Sequence, residues 1–273
     1  MMNMALIQVN QETCIRCGLC ADVCPTEFIT MGIQGPEATG TSCIACGHCV
    51  AVCPVEALDH VKAPLAQQLL LEKVPVLDAD TASHFLRARR SIRRYKQDAV
   101  PREKILELLD IARFAPTGGN TQGVAYHVID NTDTLHKITS SIIDWMEEEI
   151  VKGSPWGPYF AGSVNKYRKT GQDIILRGAP CLVVAISAKK FMPRGRDNTH
   201  FSLAYAELYA PAIGLGTCWA GFFEACAASG YQPLMNLLGL PETMAVTGGL
   251  MVGYSQVTYK RLVDRNPLQV TWQ

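Results

Sequence analysis

The chain has 273 residues, 48% of them hydrophobic and 18% charged, with 25 basic and 25 acidic side chains in balance. That hydrophobic share builds a real core and excludes a disordered chain, and zero net charge gives no support to a nucleic-acid role for the whole protein. The balance is uneven: residues 1–60 hold one base (Arg16) and six acids (Glu12, Asp22, Glu27, Glu37, Glu56, Asp59), leaving 24 bases and 19 acids for the rest. An acidic head on a basic body suits docking of one part on the other, or an anionic ligand held by the basic part. Met1 to Gln11 has neither a basic start nor an apolar run, so no secretory signal is expected.

Eight of the eleven cysteines fall between residues 14 and 53 as an internal repeat. The first half reads Cys14-x-x-Cys17-x-x-Cys20-x-x-x-Cys24-Pro25, the second Cys43-x-x-Cys46-x-x-Cys49-x-x-x-Cys53-Pro54. Three thiolates two residues apart wrap one loop around a cubane, and the fourth leaves on the following helix to reach the other cluster. The spacing therefore assigns one [4Fe–4S] cluster to Cys14, Cys17, Cys20 and Cys53, and a second to Cys43, Cys46, Cys49 and Cys24. A disulfide framework would need an oxidising compartment, and zinc ribbons use paired C-x-x-C rather than a triple run closed by Cys-Pro. The run resembles the two-cluster bacterial ferredoxins over about residues 5–60. Ile7, Val9, Phe28, Ile29, Ala57 and Leu58 suit short strands and turns, and Gly18 and Gly47 suit either tight turns or close approach of amides to cluster sulfides. His48 reads as exposed rather than as a ligand, and Cys181, Cys218 and Cys226 read as small core residues.

Residues 61–82, with Pro64 and Pro75 around Leu65 to Leu71, read as a linker with a helical turn, and the second domain as residues 83–273. Between Arg87 and Lys96 six bases lie in ten residues. This stretch is either a solvated charged face or a helix end presenting guanidiniums and the Ser91 hydroxyl to a phosphate; if the helix continues, Arg89 and Arg93 are neighbours on it. Pro101 to Phe114 is an amphipathic helix with Ile105, Leu108, Leu109 and Ala112 on one face. The loop Pro116 to Gln122 and a strand near Val124 to Asp130 follow. The segment Pro155-Trp156-Gly157-Pro158-Tyr159-Phe160 reads as a lid that stacks a planar substrate on Trp156 and Tyr159, or as a surface loop that packs its aromatics inward. Leu203 to Phe223 carries one charge, Glu207, but its proline and glycines read as a buried helix running into a strand rather than a membrane span.

Arg89-Arg90-Ser91-Ile92-Arg93, the Ala115-Pro116-Thr117…Asn120-Thr121-Gln122 loop, Gly214 to Phe223, Gly248 to Tyr254 and Tyr259-Lys260-Arg261-Leu262, in that order, resemble the FMN-dependent nitroreductase family over about residues 83–265. The resemblance implies an α+β chain: a small ferredoxin domain, then an α/β sandwich whose central, mostly antiparallel sheet is flanked by helices. It implies FMN, with Arg89, Ser91 and Arg261 on the phosphate, Arg93 near the pyrimidine end, and Asn120 on the ring or ribityl chain. Arg90, Pro116 and Thr117 belong to the same binding set, and the backbone amides of Ala220 and Gly221 would face flavin N5 and O4. Ala220 stands where the family commonly has an acid, so protons for the substrate would come from water or elsewhere, and Val263-Asp264 replaces prolines after the last arginine. The family also implies a homodimer with FMN at the interface and Asn266 to Gln273 wrapping the partner.

The expected function is a cytoplasmic oxidoreductase passing electrons from two [4Fe–4S] clusters to FMN and on to a small acceptor such as a nitroaromatic or quinone. The donor would be a ferredoxin-type reductase or NAD(P)H; no G-x-G-x-x-G fingerprint implies a separate dinucleotide domain, and neither nucleic acid nor membrane is an expected partner. The alternatives are a relay between protein partners without a small substrate, and clusters with a purely structural role.

Overall fold

The structure is a computed structural model and describes residues 6–273, so Met1 to Ala5 of the opening stretch lie outside the described residues. The chain forms two compact units. One runs to Leu77 and takes in Gly119–Thr121; the other comprises Asp78–Gly118 and Gln122–Gln273.

The first unit is two copies of one small motif. Strand β1 (Ile7–Val9) pairs antiparallel with β4 (Leu58–His60), and β2 (Ile29–Gly32) pairs with β3 (Gly35–Ala38). Each half carries one short helix, α1 (Leu19–Asp22) and α2 (His48–Ala51). The backbone repeats with it: Arg16 and Ala45 have φ of 56° and 53°, Gly18 and Gly47 83° and 73°, and Glu27 and Glu56 both 51°. Side-chain-bearing residues adopt such values only where their surroundings dictate them, and here both halves do so at matching positions. A small core of Ile7, Phe28, Ile29, Cys49, Val50 and Leu58 lies between the copies. The chain then makes 3₁₀ turns at Leu65–Gln67 and Leu71–Lys73.

The second unit opens with α3 (Ala79–Ala88), whose first turn is capped by the Asp78 carboxylate accepting from Thr81 N–H at 2.9 Å. This helix stops at Ala88 and Arg89 is extended (ψ 131°), so Arg89 and Arg93 are not neighbours on a helical face. Helix α4 (Arg102–Ala112) buries Ile105, Leu108 and Ala112 as its periodicity expects. Next come β5 (Val124–Ile129), α5 (Thr132–Val151), α6 (Gly157–Thr170), β6 (Cys181–Ala188), α7 (Arg194–Tyr209), β7 (Gly216–Trp219), α8 (Gly221–Ala228), α9 (Gln232–Leu238) and β8 (Met244–Gly253).

The strands form one sheet in the order β5-β6-β8-β7, with every neighbouring pair antiparallel. Strand β6 reads as a continuous apolar run because both its faces are covered. Leu182, Val184 and Ile186 pack with residues of α5, α6, α8 and α9, whereas Cys181, Val183 and Ala185 pack with α4 and α7. This is the helix-flanked antiparallel sheet expected from the sequence.

Two segments resolve differently from a plain loop or span. In Pro155 to Phe160, Pro155 and Trp156 form a turn, Gly157 begins α6 and Pro158 sits in its first turn, where a missing N–H breaks no helical bond. Leu203 to Phe223 is the end of α7, a 3₁₀ turn at Ala210–Ile213, β7 and the start of α8, and no helix among the described residues is long and apolar enough to cross a membrane. Cys181, Cys218 and Cys226 are buried.

Candidate functional site

In the first unit the tight turns decide where the sulfur atoms go. Cys14, Cys17, Cys20 and Cys53 wall one hollow; Cys24, Cys43, Cys46 and Cys49 wall another. Each hollow therefore takes three cysteines from one run and the fourth from the other. Phe28 N–H donates to Cys24 Sγ and Ala57 N–H to Cys53 Sγ, both at 3.2 Å and both four residues on. Ala45 N–H donates to Cys43 Sγ at 3.4 Å. Such donors favour the thiolate, the form that binds iron. Burial pushes the Cys24 thiol up, but the amides of Thr26, Ile29 and Phe28 and the Thr26 hydroxyl bring it below its ordinary value. Burial leaves Cys49 pushed up to about 11. Among the described residues no three His, Cys, Asp or Glu side chains converge as ligands of a single ion do. His48 opens α2 and is exposed.

His60 had no signal in the sequence reading, yet it is buried against the second hollow with Nε2 3.3 Å from Cys43 Sγ. Lys62 N–H donates to its Nδ1 at 3.0 Å. Nδ1 is therefore the acceptor, which leaves the proton of the neutral ring on Nε2, facing sulfur. Burial and then Lys62 hold this imidazole below its ordinary pKa and so in the neutral form.

In the second unit the stretch after α3 is laid down by backbone bonds. Ile92 N–H donates to Thr217 O at 2.8 Å, Lys96 N–H to Tyr254 O at 2.9 Å, and Gln256 N–H to Arg94 O at 2.9 Å. Gly216 is required there, because a Cβ on it would lie 2.6 Å from Ile92 Cγ1. The Arg89 guanidinium donates to Ser91 Oγ at 3.4 Å and pairs with the buried Glu207 of α7 at 3.3 Å. Burial pushes the Glu207 carboxyl up and Arg89 pulls it back. Arg90 stacks over the Tyr259 ring at 4.8 Å, two residues before the exposed Arg261. Arg89, Arg90 and Ser91 thus share one neighbourhood with the segment that carries Arg261.

The Arg93 guanidinium donates to the Ser91 carbonyl at 3.4 Å and lines a cavity of about 500 Å³. Trp145, Trp156, Tyr159, Phe160, Trp219 and Phe222 supply its aromatic wall, and Gly221 and Arg177 line it too. Trp156 and Tyr159 are 64% and 65% exposed, and Tyr159 meets the Phe222 ring at 5.9 Å. Of the two amides expected at a flavin edge, that of Ala220 is already used: it donates to Gly249 O at 2.9 Å and continues the sheet. Gly221 opens α8, where first-turn amides have no partner within the helix. Glu224, one turn on, accepts from Trp219 Nε1 and from Gly249 N–H at 2.8 Å, and burial raises its pKa.

The loop residues are placed elsewhere. Thr117 Oγ1 accepts from Gln122 N–H at 3.0 Å and Gly118 N–H donates to Asn198 Oδ1 at 2.9 Å. Asn120, within the first unit, donates from Nδ2 to the carbonyls of Ile44 at 2.9 Å and Ala45 at 3.0 Å. Pro116 and Thr117 do not line the aromatic cavity. Arg177 was not singled out in the sequence, because its place depends on a left-handed turn that spacing does not reveal.

Clustered arginines with Ser91 beside an aromatic cavity, in one chain with two gathered sets of thiols, are the equipment of a redox enzyme. The chain belongs to the nitroreductase family of FMN-dependent oxidoreductases: residues 86–254 match that family, and residues 6–54 match the 4Fe-4S dicluster domain. It is 27% identical over 207 residues to iodotyrosine deiodinase 1 of Homo sapiens, covering 73% of this chain and 69% of the human one. It is 24% identical over 177 residues to the FMN reductase [NAD(P)H] of Bacillus subtilis, covering 60% and 62%. The chain spans 39% of the length of the Danio rerio deiodinase it also matches. A Bacteroides fragilis nitroreductase solved with bound FMN shares the fold, with a TM-score of 0.56 and 19% identity over 69% of this chain and 97% of that one.

Proposed function

We propose that this protein is an iron–sulfur flavoprotein reductase that holds two [4Fe–4S] clusters and FMN in one chain. The observation that carries this reading is the pair of crossed cysteine hollows in the same chain as the Arg89–Ser91 cradle and its adjoining cavity. When bound, the clusters would supply one-electron steps and FMN two-electron reduction of a small planar acceptor.

The residues present fit these groups. Amide donors on Cys24, Cys43 and Cys53 favour the thiolates a cluster requires. Among the described residues the buried core of this unit is small, and bound clusters would add to what holds it together. Arg89, Arg90, Ser91 and Arg261 would hold the FMN phosphate, because planar guanidiniums bind its oxygens in pairs. Arg93 would set positive charge at the pyrimidine end, and the Gly221 amide would meet the ring edge. The cavity falls within the roughly 300–1,000 Å³ of small-ligand sites. Among the described residues no carboxylate lines it, so protons for the acceptor would come from water or elsewhere. Pro116 and Thr117 do not line the cavity, which favours a homodimer in which a second copy brings this loop and the segment Asn266 to Gln273 to the flavin. The cytoplasm is the proposed location, and a ferredoxin-type reductase or NAD(P)H the proposed donor.

The test is an anaerobic reductive titration of the purified protein, followed by visible absorbance and EPR, with iron and flavin assayed per chain. Two reduced-cluster signals, bound FMN and flavin turnover driven by a reduced ferredoxin support the reading. Clusters that reduce without any acceptor being turned over point to a relay between proteins, and flavin reduced by NAD(P)H ahead of the clusters reverses the proposed direction.

A further inference from the structure

Arg177 occupies the left-handed region, with φ of 61°, and Gly178 after it has φ of 68°. For a residue with a side chain this costs on the order of 1–3 kcal/mol and persists only where the surroundings enforce it. They do. Asp173 Oδ1 accepts from the amides of Ile175 and Leu176 and Oδ2 from Gly178, each at 2.9 Å, and the Thr139 hydroxyl donates to Oδ1 at 3.2 Å. Ile174, Ile175 and Leu176 are 4%, 3% and 1% exposed, so the turn is anchored in the core on one side and strapped by a carboxylate on the other. The result is a guanidinium in the wall of the aromatic cavity.

The charge there is one-sided. Arg93 and Arg177 are the charged residues of the wall, and among the described residues no carboxylate forms an ion pair with either. Arg93 has a use at the flavin; Arg177 has none. The remaining wall is aromatic, with Trp156, Tyr159 and Phe222 at its open side, which suits a flat ring.

We propose that the cavity selects a planar aromatic compound carrying a carboxylate, with Arg177 as the residue that binds the carboxylate. A guanidinium matches a carboxylate with two parallel hydrogen bonds, whereas a neutral ring leaves it without a partner. This deepens the reductase reading by naming the class of acceptor.

The experiment uses the full-length protein as purified, with 4-nitrobenzoate and nitrobenzene as matched probes. Binding is read from tryptophan fluorescence, since Trp145, Trp156 and Trp219 line the cavity, and FMN content is assayed separately. The wild type is expected to bind 4-nitrobenzoate at least roughly tenfold more tightly than nitrobenzene, the scale of one charge-assisted contact. Arg177→Gly, which suits the positive φ, should abolish that preference, leave nitrobenzene within about twofold and retain FMN; Arg177→Lys should keep part of it. Equal affinity of the wild type for the two probes, binding of neither, or equal weakening of both by the substitution overturns the proposal. Loss of FMN from Arg177→Gly overturns it too, making Arg177 a flavin ligand. A wild type that lacks FMN but prefers the carboxylate defeats the reductase reading and leaves the Arg177 site standing.

Discussion

His60 Nε2 lies 3.3 Å from Cys43 Sγ, and 29 residues earlier, at the matching position of the other half, stands Met31. Each lines its own hollow. A thioether has no proton to give, so two sulfur environments related by the repeat differ in one donor. Hydrogen bonds to ligand sulfur are among the settings of cluster potential, and losing one leaves more negative charge on the sulfur. We expect His60→Met to lower the potential of the cluster beside Cys43 and leave the other in place. An EPR-monitored redox titration checks this; two unchanged potentials would discard the idea.

Gly216 is a stability test of the cradle. A methyl at this position would push Ile92, whose own amide is bonded to Thr217, away from β7. Gly216→Ala is expected to lose about 1–3 kcal/mol of stability in urea, the usual cost of overpacking, and to weaken FMN binding because Ser91 moves with Ile92. Unchanged flavin affinity in a destabilised variant would separate Ile92 from the cradle.

Glu224 sets a pH dependence. Its folded pKa is raised by burial, so its contribution is fully present below the ordinary carboxylate value and is lost as pH rises through the raised value. Glutamine keeps an oxygen for Trp219 Nε1 and Gly249 N–H but cannot ionise. Glu224→Gln should therefore gain stability relative to the wild type between about pH 4 and about pH 7.5. Parallel urea titrations at the two pH values test it, and a difference that stays constant with pH contradicts it.

Trp156 and Tyr159 stand at the open side of the cavity, on and just before the first turn of α6. If they stack the acceptor, replacing both by alanine raises KM several-fold, since an aromatic contact is worth about 0.5–1.5 kcal/mol beyond its area, with kcat little changed. Unchanged KM across nitroaromatics and quinones would remove them from the site.

What the sequence made legible is what short covalent spacing decides. The cysteine runs, the paired Gly18 and Gly47, the apolar face of α4 and the burial of Cys181, Cys218 and Cys226 all follow from local pattern. The rest depends on tertiary packing. The end of α3 at Ala88 takes Arg89 and Arg93 off a common helical face, so that Arg89 pairs with Glu207 and Arg93 lines the cavity, although six bases in ten residues suggest a single face. Pro158 reads as a loop residue until it is seen in a first helical turn. Ala220 reads as a free amide until β8 takes it. Arg177 and His60 are set by an aspartate strap and by a cysteine 17 residues earlier, neither of which leaves a periodic trace.

The crossing of the two hollows has a consequence for ancestry and assembly. Because Cys53 completes the wall begun by Cys14 and Cys24 that begun by Cys43, neither half closes its own hollow. A single ancestral copy of the motif would have needed a twin to finish either one. Carrying both copies in one chain makes that encounter a tether, and it leaves the halves interlocked: whatever fills one hollow also fastens the other half in place.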